Sequence, residues 1–379
     1  MSPMETAEKK ALLDYFADLE DPRTRQSRHD LREILLVAVC AVLSGADGWA
    51  AVALWGRARL PWLRQYLPFE NGVASHDTFG RVFALLDAAQ FEERFMAWMG
   101  EVCGALKGLQ IAIDGKTAKR SKSAGGKALH LVSAYAHGLG VALGQVKTAR
   151  KSNEITAIPE LLDALLLKGC VVTIDALGCQ KAIAAKIVGR ECDYVLGVKN
   201  NQPTLAGKVE RFFEAADGNG WAGMPHTRAE WVEKDHGRIE TRRCVAAELP
   251  DGLLDPKAWA GVKSLVRVEA LRDIDGKVSR ERRYYISSLP AQATRLGETV
   301  RGHWGIENGL HWCLDIAFGE DQARMREGNS AENFSILRRI SLNLLRQDKT
   351  TKAGLKNRRL LAGWDVDYLE KILGIQALA

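Results

Sequence analysis

No stretch of this sequence is long and apolar enough for a membrane helix. The longest uninterrupted apolar run, Ile34 to Leu43, falls far short of the ~20 residues such a helix needs, and Arg32, Glu33 and Asp47 flank it. Residues 1–10 carry no apolar core of a signal peptide. Cysteine is sparse and unpaired in pattern. There are seven, at positions 40, 103, 170, 179, 192, 244 and 313, and none has C-x-x-C spacing. A disulfide framework or zinc ribbon is therefore not expected, and a reducing cytoplasm is. Charge of one sign is not dominant either: 53 Lys and Arg against 47 Asp and Glu leave +6. That permits a nucleic-acid partner without requiring one. What the chain does have is 46% hydrophobic and 26% charged residues, ordinary globular composition that excludes a disordered or collagen-like chain. Its 379 residues suggest two or three domains.

Residues 1–105 read as helical. Leu31 to Ser44 is a buried helix ended by Gly45 and Gly48, and Thr78 to Leu86 and Phe91 to Leu106 repeat apolar residues at three- and four-residue steps. Ser75 is placed to cap the first of these two. From Gln110 the period changes. Leu109 to Ile113, Leu129 to Ala136 and Val141 to Thr148 read as strands, Ile158 to Leu167 as a helix, Cys170 to Ile174 as a strand, Gln180 to Val188 as a helix and Tyr194 to Val198 as a strand. Three hairpin-connected strands followed by βα units predict a mixed α/β sheet. Residues 205–292 break the rhythm with strand-like stretches at Arg238 to Ala247, Ser264 to Leu271 and Arg282 to Ser288, read as a β-rich insertion. The chain is helical again from about 293. The expected division is thus 1–105, 106–204, 205–292 and 293–379.

Two acids stand out. Asp114 and Asp175 each follow a continuous apolar run, which places both at the C-terminal end of a buried strand, where open α/β sheets bind ligands. An Asp after a strand is as a rule a turn or capping residue. Two carboxylates at neighbouring strand ends repel, however, and a divalent cation between them relieves this. Hard oxygen donors suit Mg²⁺ or Mn²⁺. On a helical wheel over 302–315, Gly302, Gly305, Gly309 and Cys313 share one face, which lets a backbone or sheet approach. Glu307, His311 and Asp315 stack on the other, beside Trp304.

These residues sit in motifs. Asp114 lies in Ile111-Ala112-Ile113-Asp114-Gly115-Lys116-Thr117, Asp175 in Val171-Val172-Thr173-Ile174-Asp175-Ala176, and Glu307 in His303-Trp304-Gly305-Ile306-Glu307-Asn308. Together they resemble the D-D-E triad of insertion-sequence transposases, in the branch that includes the H-repeat-associated proteins. Ser75 to Arg81, His236 to Glu240 and Leu314 to Arg326 resemble further segments of that branch, so the likeness covers nearly the whole chain. It implies a ribonuclease-H-like core, with the first Asp on strand one, the second on strand four and the Glu on a helix after an insertion. It also implies a DNA transposase that cleaves element ends and joins the 3′-OH to target DNA. Catalysis would rest on Asp114, Asp175 and Glu307 holding two Mg²⁺ ions, with Mn²⁺ as a substitute. The implied partners are double-stranded DNA, as terminal repeats and target, and a second copy in a homodimer on DNA, with no membrane. One departure is clear. Where related insertion-sequence transposases often carry Tyr and Arg before the Glu and Lys after it, this chain has Val300, His303 and Leu314.

Phosphate binding needs Lys and Arg. Residues 115–127 hold Lys116, Lys119, Arg120, Lys122 and Lys127 without an acid, and 337–359 hold eight cations against Asp348 alone. The expected DNA contacts are Lys116, Lys119, Arg120 and Lys122, with His236 and Arg238 on a β-ribbon, and Arg301, His303, His311, Arg324 and Arg326 around the Glu307 helix. The alternatives to a transposase are a metal-dependent nuclease without strand transfer and an inactive transposase-derived DNA-binding protein.

Overall fold

The structure, a computed structural model, describes residues 12–374 apart from 25–26, 105, 123–127, 149–153, 236–237, 256 and 275–276, and apart from the side chains of Asp235, Arg238 and Ile274. The front of the chain forms α1 (Leu12–Tyr15), α2 (Leu31–Leu43), α3 (Trp49–Ala58), α4 (Leu60–Leu63), α5 (His76–Leu85) and α6 (Ala88–Cys103). The sheet region follows as β1 (Gln110–Ala118), β2 (Leu129–Ala136), β3 (Val141–Thr148), α7 (Glu154–Ala164), β4 (Val171–Ile174), α8 (Lys181–Gly189), β5 (Asp193–Val198) and α9 (Pro203–Gly218). A meander of β6 (His226–Asp235), β7 (Arg238–Glu248), β8 (Ser264–Ile274) and β9 (Lys277–Ser287) comes next. The chain closes with α10 (Ala293–His303), a π-helical turn at Glu307–His311, α11 (Trp312–Phe318), α12 (Ser330–Gln347), α13 (Leu355–Trp364) and α14 (Val366–Leu373).

The nine strands form one sheet in the order β3-β2-β1-β4-β5-β9-β8-β7-β6. β1, β4 and β5 are parallel, and all other neighbours are antiparallel. This is the expected ribonuclease-H-like core, extended at one edge by the meander. Some details differ from the sequence reading. β1 does not end at Asp114. It pairs with β4 only over Gln110–Ile113 and runs on to Ala118 against β2, so Asp114 sits just beyond the parallel pairing rather than at a strand end. Residues from 203 open with α9, not with a strand. Leu205, Val209, Phe212, Phe213 and Ala216 recur at helical spacing and are buried, and Pro203 suits a first turn.

Local chemistry sets the helix ends. Asp30, Ser75, Asp87 and Asp365 each accept a backbone N–H at the start of α2, α5, α6 and α14. The helix α3 has no counterpart in the sequence expectation, because Leu54 faces outward at 64% exposure and breaks the apolar period. α2 is buried on all sides, as its unbroken apolar run predicts. One hydrophobic core joins the front helices, the sheet and α12–α14. α7 covers one face of the sheet, since Gly115 points at Glu154, and α10 and α12 cover the face that carries Asp114.

Candidate active site

The register of β1 and β4 pairs Ile113 with Ile174, which brings the next residues, Asp114 and Asp175, to the same edge of the sheet. Asp175 also accepts the Leu177 N–H at 2.9 Å and so caps a short 3₁₀ turn, Ala176–Gly178. Glu307 arrives from above on the π-helical turn. The small-residue face of that helix meets the sheet as expected: a Cβ at Gly302 would collide with Gln110, at Gly305 with His137 and at Gly309 with the Tyr135 hydroxyl. Close approach is what carries Glu307 down to Asp114. The π-turn, a local widening frequent at functional sites, leaves Gly309 with a carbonyl that accepts from Arg346.

Asp114, Asp175 and Glu307 line one cleft of about 470 Å³, together with Lys199, His303 and Trp304. His311 Nδ1 lies 3.5 Å from Glu307 Oε2 and 3.7 Å from Asp114 Oδ2. Ligand atoms of Asp114, Glu307 and His311 fall within 4.8 Å of one another; Asp175 stands outside this tighter group. Burial raises the Asp114 pKa to about 6, against the pull of His311 and the Gly115 N–H, and the charges of Asp175 and Glu307 add to the rise. Glu307 is half exposed and is held below the usual carboxylate range, chiefly by His311. Burial depresses the pKa of His303, whose Nδ1 lies 3.1 Å from Thr173 Oγ1. A part-buried carboxylate that resists ionisation beside two further carboxylates is the setting a divalent cation relieves, so the donor set fits Mg²⁺ or Mn²⁺.

The expected DNA contacts are dispersed by the fold. Lys116 is not a free cation: its Nζ sits 2.6 Å from Asp315, 3.0 Å from Glu320 and 3.5 Å from Asp321, with 10% of the side chain exposed. Lys119 is exposed but pairs with Asp321 at 2.8 Å. Arg120 and Lys122 are exposed, as are Arg324 and Arg326, and Arg326 Nε donates to the Arg120 carbonyl. Arg301 pairs with Glu233 of β6. His303 lines the cleft, and His311 is buried beside Asp114 and Glu307. Lys127, His236 and the side chain of Arg238 lie outside the described residues. The second basic run is largely internal. Arg338 and Arg339 are buried, Arg346 and Arg358 donate to backbone carbonyls, and Arg359 joins Val42, Ala46 and Ala317 carbonyls to the Asp47 carboxylate. Val300 is buried against the sheet and Leu314 is in the core.

Comparison with known proteins places the chain in a family. The sequence profile of the family described as "Transposase DDE domain" matches residues 105–344, and that of "DDE_Tnp_1-associated" matches residues 13–99. The chain belongs to the DDE transposase family. Among relatives of this transposase chain, the "H repeat-associated putative transposase YhhI" of Escherichia coli K12 is 40% identical over 98% of this chain and 100% of its own length. The "Putative transposase YncI" of Escherichia coli O157:H7 is 41% identical over 96% and 94%. A Xanthobacter autotrophicus chain named "Uncharacterized protein in dhlA 3'region" is 47% identical over 73% and 94%. A solved piggyBac transposase synaptic complex with hairpin DNA aligns with a TM-score of 0.44 at 10% identity, over 96% of this chain and 78% of that one.

The sequence reading missed part of the transposase cleft. Lys199 and Asn200 follow β5, the third parallel strand, and line the cleft with Arg282 and Arg283 of β9. The signal for the first pair was available: a polar run directly after an apolar strand, at the sheet edge where ligands bind. The signal for Arg283 was not. Only Tyr284–Ser287 of β9 pair with β5, and because the two strands are antiparallel, Lys277–Arg283 continue past the carboxyl end of β5 and overhang the site. There the Arg283 guanidinium sits 4.7 Å from the centre of the half-exposed Trp304 ring.

Proposed function

We propose that this chain is a DNA transposase that hydrolyses a phosphodiester at each end of its element and transfers the freed 3′-OH to target DNA. The observation that carries the reading is one cleft at the carboxyl edge of the sheet holding Asp114, Asp175 and Glu307 together. These three residues would hold two divalent ions, Mg²⁺ or Mn²⁺. Bound there, such ions neutralise phosphate charge and make water and the 3′-OH competent nucleophiles for in-line displacement. The protein supplies the rest. Lys199 and Arg283 stand on the rim as phosphate contacts, and the exposed Arg120, Lys122, Arg324 and Arg326 extend the cationic surface. His303, with its pKa depressed by burial, adds no positive charge beside Asp175 at neutral pH. The Trp304 face offers a stacking surface for a base next to the scissile bond. Two ends must be brought together for transposition, so the working form is a homodimer on DNA.

The test is a cleavage and joining assay with the element's own terminal repeats, Mg²⁺ and a circular target. Asp114→Asn, Asp175→Asn and Glu307→Gln should each abolish cleavage while leaving end binding measurable by gel shift. Wild-type cleavage in any of the three sinks the assignment. Cleavage by the parent chain with no joined product makes it a nuclease without strand transfer.

A further inference from the structure

Behind two of the cleft carboxylates, Asp114 and Glu307, lies a fourth group that the three-carboxylate reading does not use. His311 is buried, with its side chain 6% exposed, and its Nε2 has no hydrogen-bond partner among the described residues. Its Nδ1 points between Asp114 Oδ2 and Glu307 Oε2 at 3.7 and 3.5 Å. Both distances are too long for a hydrogen bond. They are close to the ligand-to-ligand edges of a coordination shell, roughly 3.0 Å for right-angle and 3.4 Å for tetrahedral neighbours at bonds of about 2.1 Å. The backbone cause is local. In the π-turn, Glu307 and His311 lie one turn apart on the side that faces β1, while the glycine face lets the turn settle onto the sheet.

We infer that His311 Nδ1 is a metal ligand, which completes with Asp114 and Glu307 a mixed carboxylate–imidazole site that favours Mn²⁺ and other first-row ions over Mg²⁺. This rests on the proposal that Asp114 and Glu307 bind a divalent ion. It replaces a ligand set of carboxylates alone by one with a neutral nitrogen donor. Imidazole adds affinity for first-row transition ions that it does not add for Mg²⁺. Asp175, outside the tighter group, is left to serve the second ion.

The experiment uses the full chain and Mn²⁺ as the probe. Electron spin echo modulation of bound Mn²⁺ should show coupling to one ¹⁴N nucleus, replaced by ¹⁵N coupling when the histidines are ¹⁵N-labelled. That readout needs no mutation. His311→Gln should remove the coupling, weaken Mn²⁺ binding roughly tenfold or more and narrow the preference for Mn²⁺ over Mg²⁺. His303→Gln should keep the coupling. Mn²⁺ that is lost in Asp114→Asn yet shows no nitrogen coupling in the parent chain overturns the histidine assignment alone. Absence of any Mn²⁺ binding that depends on Asp114 overturns both this inference and the reading beneath it.

Discussion

Glu320 shows how charge is handled next to this cleft. Its side chain is 2% exposed, with Lys116 Nζ 3.0 Å from Oε2, Arg339 3.3 Å from Oε1 and the Ser335 hydroxyl donating at 2.9 Å. Burial pushes its pKa up, and the Arg339 and Lys116 charges more than reverse this, holding the carboxyl well below its usual range. A group whose folded pKa is depressed stabilises the fold above its unfolded value of about 4.3, and that contribution is lost as pH falls below it. Glu320→Gln should therefore cost about 3–5 kcal/mol at neutral pH, because the buried Arg339 loses its carboxylate partner and Lys116 loses one of its three. It should also flatten the acid side of a plot of melting temperature against pH. A melting curve at pH 7 equal to that of the parent chain would remove Glu320 from this role. The network explains why a count of cations overstates the exposed positive charge. Lys116 follows Asp114 by two residues, so both point to the same face of β1, into the carboxylates of the closing helices.

At the scale of elements, the helix from α10 to α11 is the piece that the sequence described best. Its glycines face the sheet and its acidic residue faces the cleft, as the 100° wheel places them. The wheel could not show the π-turn, which depends on tertiary partners such as Arg346 rather than on residue type. Gly309→Ala tests the close approach. The new methyl group would meet the Tyr135 hydroxyl, so the helix must lift. We expect a loss of about 1–3 kcal/mol in stability and about a hundredfold in cleavage rate through displacement of Glu307. An unchanged cleavage rate would mean that the carboxylate does not depend on this contact. β1 teaches the opposite lesson. Its apolar run stops at Ile113, yet the strand continues to Ala118 because β2 supplies a full antiparallel partner for the polar half.

At the scale of the whole molecule, the meander is part of the sheet and not an appendage. β9 covers the edge of β5, whose residues Tyr194 to Val198 are all buried. Excising residues 203–290 and closing the gap with a short glycine linker should leave β5 as a flat apolar edge, which pairs with other chains. Size-exclusion chromatography should show aggregates where the parent chain elutes as a defined species. Elution of the excised chain as a folded species of defined size would make the meander an independent module.

The order of strands and helices around the cleft, the two Asp positions, the glycine face and Glu307 were all legible in the sequence, because period, caps and strand-end chemistry are local properties. Which cations are exposed was not. Arg338, Arg339, Arg346, Arg358 and Arg359 read as a basic run but serve as internal donors. His311 read as a DNA contact on the helix face that carries Glu307. Only tertiary structure sets it between two carboxylates, because Asp114 and the Glu307–His311 turn lie about 190 residues apart in the chain and no window of sequence contains their meeting.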